Sequence, residues 1–103
     1  MPMKTYKVHM QGAHQPTAED VTRKGHIIRV AGVDLSLYRV TEGYRVDHVR
    51  SGMHLHQLDM LATPGAPVTL AEAKEDIVES ARPILERNAD RIASMPTLNE
   101  GFA

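Results

Sequence analysis

The chain has 103 residues, 42% hydrophobic and 24% charged, which is enough apolar material for one folded domain and too little for a multidomain enzyme. A fold of this size buries roughly 60 to 65% of the surface its unfolded chain exposes, so a large enclosed active site is not expected. There is no cysteine, hence no disulfide, thiolate nucleophile or cysteine-built zinc knuckle, and the net charge of −1 excludes a strongly basic polyanion binder.

No stretch approaches the ~18 consecutive apolar residues a membrane span needs, and residues 1 to 7 hold no apolar run of signal-peptide length. The expectation is an intact cytoplasmic protein with no membrane partner. Charge divides at Leu58. Residues 1 to 58 carry eight Lys/Arg against five acids, +3, and all six histidines; residues 59 to 103 carry four against eight, −4.

In the basic half, apolar residues recur at every second position and Gly separates the runs, the pattern of short strands. Thr5 to Met10 is the first, with Tyr6, Val8 and Met10 on one face and Lys7 and His9 on the other. Residues 11 to 25 read as a polar connection in which Thr17 to Asp20 suits a turn or two of helix. His26 to Ala31 and Asp34 to Val40 follow as a hairpin; a turn at Gly32-Val33 sets Val30 opposite Leu35 and Ile28 opposite Leu37.

The next loop has two solutions. A two-residue loop at Glu42-Gly43 keeps Tyr44 and Val46 on the face of Leu35 and Leu37, and a three-residue loop moves them across unless a bulge compensates; the first is preferred. A turn at Arg50 to Met53 then sets Asp47 opposite His56, His48 opposite Leu55 and Val49 opposite His54, with Met53 and Leu55 on the core face. The methionines read as core filler.

The acidic half holds a helix. Thr69-Leu-Ala-Glu72 is a capping box, and Leu70, Ala73, Ile77, Ala81, Ile84, Leu85 and Ile92 form one apolar stripe. Pro83 predicts a kink or a break near Ala81, Pro96 ends the pattern, and residues 97 to 103 are expected to fray. The fold expected is α+β: an antiparallel β-meander of four to five short strands with one long, Pro-kinked C-terminal helix packed on one face. It is one domain over residues 1 to 103, with a strand-rich basic half (1–58) and a helical acidic half (68–95).

No phosphate-binding loop, dinucleotide fingerprint, nucleophile elbow or two-histidine zincin helix occurs, and no catalytic residue is assigned. The constellation that carries chemistry is Asp47, His48, His54, His56 and Asp59. A His-x-His pair on a strand points both imidazoles to one side, so Asp47, His54 and His56 form a candidate set for zinc or another divalent metal, with His9 a fourth ligand if its strand is adjacent. The competing reading is a solvated polar sheet face. The segment Gly52-Met-His-Leu-His56 resembles the His-x-His segment of cupin-type metal barrels over five residues; the later Glu and His of that family have no recognisable counterpart.

Lys7, His9, Arg29, Tyr38 and Arg45 form a second candidate, a basic sheet face able to meet the phosphates of a nucleic acid. The reading ranked first is a small non-enzymatic protein-interaction or regulatory accessory module of a bacterium, phage or mobile element. It would bind a protein partner or a second copy of itself, and the acidic helix face of Glu72, Glu75, Asp76, Glu79 and Glu86 is one surface for this. The alternative is a nucleic-acid-binding protein using the uncovered basic sheet face, the second alternative a His-rich metal-binding protein or small metalloenzyme, and no organic cofactor is expected.

Overall fold

The computed structural model describes residues 3–8, 21–41, 43–61 and 69–103. Strands β1 (Met3–Val8), β2 (Val21–Val30), β3 (Val33–Val40), β4 (Gly43–His48) and β5 (Met53–His54) form an antiparallel sheet in that order, and β6 (Met60–Leu61) pairs with the same strand as β5, β4. Helices α1 (Leu70–Arg87) and α2 (Ala89–Ala93) complete an α+β meander with a long helix laid on the sheet. No helix of the described residues is long and apolar enough to cross a membrane.

Alternation decides what the helices meet. Val30, Leu35, Leu37 and Val46 share one face, where they are almost wholly buried against Ala73, Ile77, Ala81, Leu85 and Ile92 of the helices. Each fully buried Leu or Ile stabilises the fold by about 1.5 to 3 kcal/mol, which makes this contact the main store of stability. Thr69 Oγ1 accepts from the Glu72 amide at 3.1 Å, as the cap predicts, and its hydroxyl meets the Glu72 carboxylate at 3.1 Å. Pro83 does not end α1, which runs on to Arg87; the interruption falls at Asn88.

From β2 to β5 the strands keep their expected faces and change their expected partners. Val30 pairs with Val33 and Ile28 with Leu35, so the turn is Ala31-Gly32, with φ of 50° and 76°. Val40 pairs with Gly43, leaving residues 41–42 as the connection in place of Glu42-Gly43. His48 pairs with Met53 and Asp47 with His54, around a turn closed by the Gly52 amide on the His48 carbonyl at 2.9 Å. At the first and third turns a glycine with positive φ takes the last turn position, and the strand begins directly after it. Each register therefore slides by two residues, which preserves the face of every side chain.

β2 begins at Val21, earlier than the expected His26, because Val21 to His26 pair with β1. Tyr6 and Val8, expected under the helix, lie on the opposite face, buried with Val49 and packed by Ile27 and Phe102. The C-terminal residues, expected to fray, cover this side. The Asn99 side chain accepts from the Lys7 amide at 2.8 Å and donates to the carbonyls of Lys7 at 2.9 Å and Val49 at 2.7 Å. Leu98 and Asn99 amides reach the Arg50 carbonyl, and Ala103 bonds through both its amide and its carbonyl to Asp34. Asn99 thus ties the outer edge of β1 to the turn after β4. A Cβ on Gly52 would come within 2.8 Å of the Lys7 carbonyl oxygen, so the curled sheet closes tightly there. The expected turn of helix at Thr17 to Asp20, and Met10 and His9, lie outside the described residues.

Candidate functional site

On the face of the sheet away from the helices, two rows of polar side chains cross the strands. The first is Arg23 of β2, Tyr38 of β3 and Arg45 of β4; Tyr38 and Arg45 are cross-strand partners, and the Arg23 guanidinium lies 4.2 Å from the centre of the Tyr38 ring. The second is Ser36, Asp47 and His54 on β3, β4 and β5. Asp47 is fully buried, and its Oδ2 accepts from the Tyr6 hydroxyl at 2.8 Å and from Arg23 at 2.7 Å. Such a pair is retained because its partners are supplied, a buried carboxylate without them being strongly destabilising.

This neighbourhood sets the proton affinities around it. Burial, then the charge of Asp47, pushes the Tyr6 hydroxyl well above its ordinary range, so it is a fixed donor. Burial and Asp47 raise Tyr38 as well. For Arg23 burial works against the charge, and the hydrogen bond and attraction to Asp47 outweigh it.

The second group lies at one corner of the sheet. β5 ends at His54, and His56–Leu58 forms a single 3-10 turn before β6 rejoins β4 at Met60. The turn leaves Val46 of β4 without a ladder partner for its amide, which donates instead to Asp59 Oδ1 at 3.2 Å, while the Val46 carbonyl accepts from Leu55 at 2.9 Å. Asp59 Oδ1 also meets His54 Nε2 at 2.8 Å, and the His54 and His56 ring centres are 4.1 Å apart. His54 and Asp59 are partly buried and His56 is exposed. Buried Leu58 pins the turn from below.

Of the residues expected to hold a metal, His54 and His56 come together and Asp47 does not join them. It faces His54 across the ladder, but its Oδ2 is committed to Tyr6 and Arg23, and His56 has left the strand. Asp59 takes that place. His48 points to the opposite face, fully buried, with Nδ1 2.7 Å from Ser51 Oγ; burial, then Arg50, lowers it to about 4.

The expected basic face is also rearranged. Arg45 and Tyr38 stand together, but Arg29 forms a two-pronged pair with Asp34 at 2.8 and 3.0 Å. That pair holds the Asp34 carboxyl below its usual range and raises Arg29. Lys7 pairs with Thr22, on the pleat opposite Tyr6 and Arg23. Arg23 was legible only as part of a polar connection, because Thr22-Arg-Lys-Gly25 has no apolar alternation to mark a strand. Glu72, Glu75, Asp76, Glu79 and Glu86 are all exposed on the outer side of α1, as the stripe predicts. In comparisons with known proteins, no family model, no curated protein and no solved structure matches this chain.

Proposed function

We propose that this chain is a small non-enzymatic protein-interaction module and that it meets its partner through the helix-free sheet face around Tyr38. The observation that carries this reading is a half-buried tyrosine flanked on neighbouring strands by Arg23 and Arg45. Tyrosine and arginine are the residue types that contribute most at protein interfaces, since they combine large contact area with directed hydrogen bonds.

The sign of the charge favours a protein over a nucleic acid. Two guanidiniums share this face with the carboxylates of Asp47 and Asp59, both close enough to act on Tyr38. Arg23 is already matched by buried Asp47, so a phosphate track would meet little uncompensated positive charge beyond Arg45, whereas a protein partner can use the Tyr38 contact area together with Arg45. Arg29, a further cation expected there, is already matched by Asp34.

The test is retention from host lysate on the immobilised full chain, with and without nuclease, comparing wild type with Tyr38→Ala and Arg45→Glu. Both variants are first checked for a wild-type melting transition. A protein retained after nuclease and lost in both variants is the expected result. A second copy of this chain, seen as a doubled solution mass that Arg45→Glu halves, meets the same expectation. Retention of nucleic acid alone, weakening steeply with salt, would overturn it.

A further inference from the structure

The corner formed by His54, His56 and Asp59 has a geometry that the sheet itself does not require. A hydrogen bond between His54 and Asp59 accounts for two of the groups. It leaves unexplained why a second imidazole, which has no side-chain hydrogen bond among the described residues, is held with its ring centre 4.1 Å from the first. One ligand atom from each of the three residues lies within 4.8 Å of the other two. A tetrahedral ion with metal–nitrogen bonds of 2.0 to 2.1 Å holds its ligand atoms about 3.3 Å apart, so a turn of the exposed His56 ring and a slight opening of the His54–Asp59 contact reach it.

The corner is also supported as such sites usually are. The Val46 amide on Asp59 Oδ1 fixes the carboxylate from behind, and the chain is locked around it by the Leu58 amide on the Leu55 carbonyl at 3.0 Å and the Asp59 amide on His56 at 3.2 Å. A cavity of about 300 Å³ adjoins both imidazoles, between the turn and the end of α1, bordered by Met53, Asn88 and Met95.

We propose that His54, His56 and Asp59 bind a first-row divalent cation of the zinc class, through two imidazole nitrogens and one carboxylate oxygen, with a fourth position facing solvent. Nitrogen donors select against magnesium and calcium, which take oxygen ligands, and two neutral imidazoles with one carboxylate suit zinc, nickel or copper(II). The site borders the Tyr38 surface, where Asp59 also acts on Tyr38, but zinc binding by these three side chains requires no partner on that surface.

The experiment is calorimetric titration of the metal-free full chain with zinc chloride, with magnesium chloride as control, on wild type, His56→Ala and Asp59→Asn. His56 is exposed and its side chain bonds to nothing described, and Asn keeps an oxygen for the Val46 amide, so both variants retain the fold. One zinc per chain, no response to magnesium, and at least about a tenfold loss of affinity in each variant are expected, since loss of even a supporting group commonly costs 10- to 100-fold. No zinc binding up to about millimolar concentration overturns the proposal. So does binding that survives both replacements, which would place the metal on other residues.

Discussion

Replacing Asn99 by Ala tests whether the C-terminal residues close the sheet. The residue is 9% exposed, and its side chain makes three hydrogen bonds of 2.7 to 2.9 Å to the backbones of Lys7 and Val49. Each intramolecular hydrogen bond contributes about 0.5 to 1.5 kcal/mol net, and a buried group left without a partner costs about 1 to 3 kcal/mol. Lys7 lies on an exposed edge where water can replace the lost partner, but Val49 is wholly buried. The expected loss is about 2 to 4 kcal/mol, or a fall in Tm of about 10 to 20 °C for a domain this small. Urea unfolding followed by far-UV circular dichroism measures it, with exposed Glu100→Ala as a control that should stay within about 0.5 kcal/mol of wild type. Asn99→Asp should be worse than Ala, because a carboxylate cannot donate to the two carbonyls and sets a charge against them. If Asn99→Ala is as stable as the control, the closure argued here is refuted.

Two further outcomes follow from buried groups. His48 has its affinity for protons lowered from its ordinary range to about 4, so between about pH 4 and pH 6.5 the unfolded chain holds the proton and the folded chain does not. Its contribution is complete above about pH 6.5 and declines as pH falls towards 4. About 2 kcal/mol should be gone by about pH 5 relative to neutral pH. Urea midpoints for wild type and His48→Gln across this window should show the slope in the first and its reduction in the second; parallel curves would refute the assignment. Gly52→Ala forces Cβ within 2.8 Å of the Lys7 carbonyl oxygen and of Leu98 Cδ2 at a φ of 70°, and strain plus crowding should destabilise by about 2 to 5 kcal/mol. A midpoint unchanged in urea would show that the turn has room to spare.

Local pattern carried the strands and the helix because each depends on neighbours in sequence. The alternation in Ile28, Val30, Leu35 and Leu37 marks a half-buried strand whichever partner it finds, and Thr69 with Glu72 caps a helix using only local donors. Register was not legible in the same way. A slide by two residues leaves every side chain on its face, so the hydrophobic pattern cannot distinguish Leu37 opposite Val46 from Leu37 opposite His48, and the turns decide. At the candidate metal corner, His54 and His56 stood out as a pair, but the choice of Asp59 over Asp47 depends on the chain leaving the strand at His54.

By itself, then, the sequence determined that strands precede one capped helix, which faces are apolar, and that acids line the helix's outer side. The tertiary structure alone decided that the sheet is also covered over the Tyr6, Val8 and Val49 part of its second face. Residues 97 to 103 show no periodicity, and what holds them is an Asn99 carboxamide meeting Lys7, 92 positions away in sequence, together with Phe102 packed against the cluster of Tyr6, Val8 and Val49. A side chain that replaces a strand as the hydrogen-bonding partner of an edge leaves no local signature, because its value exists only once distant backbone groups have been brought within about 3 Å of it.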